Sequence, residues 1–370
     1  MFGDAYRGKS VWLSGHTGFK GSWLATWLLQ LGARVHGFAL EPSTTSSLFE
    51  QIGLGSELTH EIGDVRDASA VASSLRRAAP DFVFHLAAQP LVRFSYEQPV
   101  ETYDTNVMGT IHVLEALRSW QRPCAAVFIT TDKCYENREW LYAYREEDPL
   151  GGYDPYSSSK AAAEIAISAY RRSYFARHPV KIASARAGNV IGGGDWGLDR
   201  IVPDSIRALQ RGEAIPVRNK HSTRPWQHVL EPLSGYLSLG ARLTTAEEAE
   251  RAQLCSAFNF GPSLISNRTV ADLVQELLQH WPGEWADRSD PNALHEANLL
   301  NLATDKAYHL LSWFPVWSFE ETIRETAAWY KSGSDGKNAL PTITRSQIGR
   351  YEESARALRL VWAASALADL

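Results

Sequence analysis

Along the first half of the chain one unit repeats: a strand-length apolar run, a turn, then a helix-length amphipathic segment. The apolar runs lie at residues 10–14, 34–40, 58–62, 81–86, 125–130 and 180–187, and between most of them apolar positions recur at helical spacing, over 21–31, 68–79, 100–120 and 156–177. Runs that are apolar at nearly every position belong in a sheet covered on both faces, and strands separated by helices pair in parallel. The pattern predicts an α/β fold of Rossmann type, a doubly wound parallel sheet formed by residues 1–187.

Beyond residue 188 the regularity breaks. Short helices are expected at 202–211 and 231–243, a strand at 258–260 and a helix at 270–281. Residues 188–332 read as a smaller mixed α/β lobe around a cleft, with a chain that can cross back to the first domain. Residues 331–340 are polar and Gly-rich, and 346–367 carry apolar positions at helical spacing, so 333–370 is expected to form a C-terminal helical extension.

Composition narrows the function. The 370 residues are 44% hydrophobic and 21% charged with a net charge of −5, enough for one large core and a lesser lobe. Basic residues are dispersed, so no nucleic-acid or membrane surface is expected. The apolar stretches are strand-length, which predicts no membrane span, and residues 1–9 lack a signal-peptide layout. Cys124, Cys134 and Cys255 are few and widely spaced; neither a disulfide framework nor a metal site is expected, and a cytoplasmic setting fits. Cys134 has no paired histidine and reads as a small semi-buried residue.

Candidate chemistry begins after the first strand with Gly15-His16-Thr17-Gly18-Phe19-Lys20-Gly21, a G-x-x-G-x-x-G turn into a helix. Such glycines allow a tight turn and close approach to a pyrophosphate, which the helix N-terminus then attracts. Asp64 and Val65 follow the third strand, where a carboxylate can accept from an adenine amine. Leu86, Ala87, Ala88 and Gln89 end the fourth, where small residues let a dinucleotide cross the strand ends. The second strand ends in neither an acid for a ribose 2′-hydroxyl nor an arginine for a 2′-phosphate, so it leaves NAD and NADP open.

Tyr156 and Lys160 form Y-x-x-x-K and share one helix face. The ammonium is expected to favour the phenolate, lowering the tyrosine from about 10 towards working pH. The apolar run 124–129 stops at Thr130-Thr131-Asp132-Lys133, where a hydroxyl, a carboxyl and an amine stand side by side.

Together these motifs resemble the extended short-chain dehydrogenase/reductases. Within them, Thr131-Asp132-Lys133 sits where sugar-nucleotide 4,6-dehydratases carry Thr-Asp-Glu. Longer stretches are similar to the CDP-glucose 4,6-dehydratase branch: GHTGFKGSW, VFHLAAQPLVR, TNVMGT, DKCYEN, YREEDPLGGYDPYS, SARAGNVIGGGDW and RPWQHVLEPLSGYL, across about residues 9–332. The resemblance implies NAD as cofactor and CDP-glucose as substrate, in an early step of deoxysugar biosynthesis for surface polysaccharide. It implies that Tyr156 takes the 4-hydroxyl proton, supported by Thr131 and Lys160, that Asp132 is the acid for the departing 6-hydroxyl, and that Lys133 is the base at C5. It places Asn189, Arg200, Arg218, Arg224, His228 and His295 on the substrate, with Arg224 on the pyrophosphate. It also implies a homodimer through helices 100–120 and 156–177. One segment departs: Asn298-Leu299-Leu300-Asn301-Leu302 follows His295-Glu296-Ala297, where the branch carries a tyrosine, a lysine and an aspartate. Another sugar-nucleotide dehydratase, a 4-epimerase and a non-catalytic NAD-binding sensor are the alternatives; the Asp132-Lys133 pair argues against an epimerase, the retained Tyr156 and Lys160 against a sensor.

Overall fold

The computed structural model describes residues 1–42, 46–197, 199–289, 299–334, 336 and 339–364. Six parallel strands come from the first half: β1 (Ser10–Ser14), β2 (Arg34–Ala39), β3 (Thr59–Ile62), β4 (Phe82–His85), β5 (Cys124–Ile129) and β6 (Val180–Ala187). A seventh, β7 (Ala257–Phe260), returns from the second half to pair parallel with β6, giving the order β7-β6-β5-β4-β1-β2-β3. The order reverses between β1 and β4, and in such sheets ligands bind beyond the strand ends at that point.

The period-two alternation of the strands divides the core. Val11, Leu13, Ala125, Val127 and Ile129 face one layer, with α1 (Phe19–Gln30). Trp12, Ala126 and Phe128 face the other, with α2 (Ala68–Ala78) and α3 (Gly109–Arg118). Also on this second side is α4 (Pro155–Ser173), which buries Ile167 there. The expected helix 100–120 is interrupted: Pro99–Tyr103 is helical, Asp104–Met108 is a π-turn, and α3 follows. In the second half α5 (Ile201–Gln210) lies against the short strand Ile215–Val217, and α6 (Leu230–Thr245) buries most of its length in the first layer.

The last segments differ from expectation. α7 (Phe319–Ser334) reaches into the start of the polar, Gly-containing stretch, and α8 spans Ala339–Ala357 rather than 346–367, followed by a short turn at Val361–Ala363. Pro341 lies in the first turn of α8, where its missing N–H has no intrahelical partner to lose. Nor is this segment an appendage. α8 buries Leu340, Thr344, Gln347, Ile348, Tyr351 and Ala355, and Trp27 of α1 packs edge-on to Tyr351 and donates to Glu352 Oε1 at 2.9 Å. Phe2 stacks on Trp362 with ring centroids 5.0 Å apart. Among the described residues no helix is long and apolar enough to cross a membrane.

Candidate active site

The turn after β1 is fixed by packing against the start of the next crossover. Gly15 has φ +76°, and a Cβ there would lie 2.8 Å from the Ala87 nitrogen; one on Gly21 would lie 2.1 Å from the Gly15 carbonyl. Ser14 Oγ holds the Leu86 and Ala87 N–H groups at 3.1 Å, tying the ends of β1 and β4 together. Gly18 is the N-cap of α1 and offers no side-chain acceptor, so the first-turn N–H groups have no partner from a capping side chain. This bare helix start at the switch point fits a dinucleotide pyrophosphate.

The neighbouring candidates divide. Thr17 Oγ1 donates to the Leu40 carbonyl at 2.9 Å. The His16 ring is turned inward over Gly37, 2.7 Å from His60 through Nε2, and burial pushes it down to about 3. Its side chain is a neutral structural group, so only its backbone can serve a cofactor. Asp64 is met by Arg66, through the backbone N at 2.9 Å and the guanidinium at 2.6 Å; its carboxylate is already committed. Val65 is buried beneath Gly109. The Gln89 side chain reaches Thr102 and the Leu91 carbonyl instead of the strand end.

The end of β5 carries the second cluster. Thr131 caps a one-turn 3-10 segment, Asp132–Cys134, and donates to Asp132 Oδ1 at 2.9 Å. Asp132 is 4% exposed, and burial raises its pKa against the opposing charges of Lys133 and Lys20. A carboxyl held above its usual range can donate a proton at neutral pH. A Cβ on Gly188 would lie 2.7 Å from Asp132 Oδ2, so the glycine after β6 is the space this carboxyl occupies.

Tyr156 and Lys160 meet the same strand end from α4, whose first turn Asp154 caps. Burial brings Lys160 down to about 8, assisted by Lys20 and opposed by Glu164; its Nζ donates to the Ile129 carbonyl at 3.3 Å. Lys20 is likewise brought to about 8 by burial, with Asp132 opposing and Arg200 assisting. Tyr156 corrects an expectation. Burial pushes the phenol up to about 12, with Thr131 and Arg200 acting against the rise, and the neighbouring ammonium does not bring it towards neutrality.

Asn106, which the motifs did not single out, sits in the π-turn, accepts from Gln89 N at 2.8 Å and donates to Ser159 Oγ at 2.8 Å, bracing the β4 end against α4. π-turns inside helices concentrate at functional sites; the run Thr105-Asn106-Val107-Met108-Gly109 has no periodicity that betrays one.

Beyond β6 Asn189 is half-buried, ahead of the short strand Val190–Ile191. Arg200 pairs with Asp195 at 2.8 Å, and its charge reaches Tyr156. Arg218 pairs with Asp199, which also takes Arg93 at 3.1 Å. Arg224, on strand Thr223–Pro225, donates to Ser222 Oγ and the Thr223 carbonyl. His228 is a second correction: it is fully buried, edge-on to Trp23 and Trp317, and burial pushes it to about 3. A neutral histidine inside an aromatic core has no surface to offer a substrate. His295 lies outside the described residues.

The Tyr156–Lys160 pair, the glycine turn and the buried acid Asp132 beside Lys133 thus lie at one end of the sheet. The chain belongs to the GDP-mannose 4,6 dehydratase family, whose pattern matches residues 13–326. Among individual relatives it is 47% identical over 352 residues to the CDP-glucose 4,6-dehydratase of Salmonella typhimurium, covering 94% of this chain and 97% of that protein. The dTDP-glucose 4,6-dehydratase 1 of Escherichia coli is 26% identical over 297 residues, covering 74% and 79%. The fold is shared with the dTDP-glucose 4,6-dehydratase of Bacillus anthracis solved with NAD (TM-score 0.73, 20% identity, covering 89% and 99%). It is shared too with the UDP-glucose 4-epimerase of Stenotrophomonas maltophila with bound NAD (TM-score 0.75, 20% identity, covering 88% and 99%).

Proposed function

We propose that this chain dehydrates CDP-D-glucose to CDP-4-keto-6-deoxy-D-glucose with a tightly held NAD. The observation that carries this reading is the buried acid Asp132 beside Lys133 at the end of β5, set among Tyr156, Lys160 and Lys20, in a chain 47% identical to a CDP-glucose 4,6-dehydratase. Gly15, Gly18 and Gly21 with the bare start of α1 would hold the pyrophosphate, Thr17 and Ala87 flanking it. NAD, when bound, accepts hydride from C4 and returns it to C6.

The remaining steps belong to side chains. Tyr156 takes the proton of the sugar 4-hydroxyl as the phenolate, the form that the Thr131 hydrogen bond and the Arg200 charge favour against the upward pull of burial. The 4-keto group acidifies the C5 proton, which Lys133 removes in its free-amine form, becoming the ammonium. Asp132, held protonated by burial, gives its proton to the departing 6-hydroxyl. Asn189, Arg200, Arg218 and Arg224 take the sugar and diphosphate; guanidinium groups suit bidentate phosphate contacts. The protein works in the cytoplasm as a homodimer through the helices that expose Val100, Tyr103, Met108 and Ile165.

The test is incubation with CDP-, dTDP-, UDP- and GDP-sugars, with and without NAD. A 4-keto product from CDP-glucose, seen by its absorbance in alkali, is expected; NAD binding without turnover of any nucleotide sugar would favour a sensor. Lys133→Ala is expected to accumulate NADH but not product, and unimpaired turnover sinks the base assignment.

A further inference from the structure

We propose that Glu164 is a positioning residue for the oxidation step, extending the Tyr156–Lys160 pair to a three-residue stripe that clamps α4 onto the catalytic end of β5; this rests on the dehydratase reading above. Tyr156, Lys160 and Glu164 recur every four residues on one face of α4. Two of the three grip the strand directly. Lys160 Nζ donates to the Ile129 carbonyl at 3.3 Å, and Glu164 Oε1 accepts from Thr130 Oγ1 at 2.6 Å. The next residue is Thr131, whose hydroxyl faces both Asp132 and Tyr156.

Glu164 is 2% exposed, and its other oxygen is held from β6 by Ser184 at 2.8 Å and Arg186 at 2.9 Å. Arg186 in turn donates to the Tyr135 hydroxyl and the Glu146 carbonyl at 2.9 Å, and its guanidinium lies over the Tyr135 ring. Three elements carrying the site (the β5 end, α4 and the turn that follows Asp132–Cys134) therefore meet on one carboxylate and its counterion. Both faces of the clamp are filled by charge-assisted bonds, which fix direction as well as distance.

The carboxylate also acts on Lys160 through its charge. The groups facing that ammonium are Lys20 from α1, His85 from β4, Cys134 from the turn, and Tyr156 and Glu164 on its own helix. Glu164 keeps the charged form favoured against burial and Lys20; His85 is pushed to about 3 by burial and Lys160 and adds no charge at neutral pH.

Substitutions at Thr130 and Glu164 separate positioning from mere stability. Thr130→Val cuts the grip on the strand and leaves Glu164 with Arg186; kcat is expected to fall about tenfold at unchanged KM, since small displacements of reacting groups carry such losses. Thr130→Ser, which restores the hydroxyl, should return kcat to near the parent value. Glu164→Gln should move the midpoint of the Lys160 ammonium, followed by 15N-lysine NMR and assigned by its loss in Lys160→Met, down by about one pH unit. That titration needs no turnover. Parent kcat in Thr130→Val, or an unmoved Lys160 midpoint in a folded Glu164→Gln, overturns the inference. Absence of turnover in the parent protein, with the midpoint moved as expected, overturns the dehydratase reading and leaves the clamp standing.

Discussion

Glu164 and Glu231 are buried carboxylates on opposite faces of the sheet, and the same solvent exclusion leaves them in opposite states. Glu164 is pushed up by burial, but Arg186 and the Thr130 and Ser184 hydroxyls outweigh it and hold it below the usual range. Glu231, 1% exposed at the start of α6, accepts from the Trp317 and Val316 N–H groups at 2.7 and 2.9 Å and from the Tyr351 hydroxyl at 2.7 Å. All three donors are neutral, and burial raises it to about 7. Good hydrogen bonds satisfy a buried carboxylate; a counterion decides whether it stays charged. The charged centre stands behind the site, and the one raised to about 7 pins α8 to the core.

The largest effect should follow from breaking the charged centre on one side only. Arg186→Met leaves Glu164 buried and unpaired and should cost about 3–5 kcal/mol. Glu164→Gln/Arg186→Met should recover most of that in urea unfolding. A double variant as unstable as the single one would mean that the pair is not what holds this region.

Tyr351→Phe should cost less, about 1–2 kcal/mol, because it removes one donor and leaves two backbone N–H groups on Glu231. It should also raise the Glu231 pKa further, since the Tyr351 hydroxyl is among the groups lowering it.

The pH dependence separates the two centres by sign. A carboxyl raised in the fold contributes stability that is complete below its unfolded value and is lost as pH rises through about 7. A lowered one, as at Glu164, contributes above its unfolded value and loses that contribution in acid. Unfolding free energy of the parent should therefore decline between pH 5 and 7, with Glu231 contributing up to about 3 kcal/mol, and Glu231→Gln should flatten that slope. A slope unchanged in Glu231→Gln would place the titration elsewhere. The smallest effect is expected at the surface: Arg345→Ala, which frees Glu57 from an ion pair exposed on both sides, should change stability by less than about 1 kcal/mol.

What the amino-acid order revealed was whatever is written locally. Strands β1 and β6 fall where the apolar runs place them, and the glycine turn, Y-x-x-x-K and the Thr131-Asp132-Lys133 stop can each be read within a few residues. Hidden were the features that depend on a distant partner. Gly188 is required by a carboxyl 56 residues earlier, which only the fold brings to it. Glu164 and Arg186 are unremarkable charges until β6 lies beside α4. His228 stands in a run similar to relatives, which says that it matters and not where it points; two tryptophans from opposite ends of the chain enclose it. The start of α8 was obscured because it falls at Ala339, inside the polar stretch 331–340 with Gly333 and Gly336, ahead of the apolar positions at helical spacing.

The Phe2–Trp362 stack bears on how the chain is made. Trp27 touches Phe2, Tyr351 and Trp362, so the outer face of α1 remains open to water until α8 and the turn after it have left the ribosome. The glycine turn is synthesised early, yet the helix that presents it gains its last cover only from α8 and Trp362. This layer cannot close before α8 and the turn after it are available, and any change that delays or removes them uncovers Trp27 and Phe2.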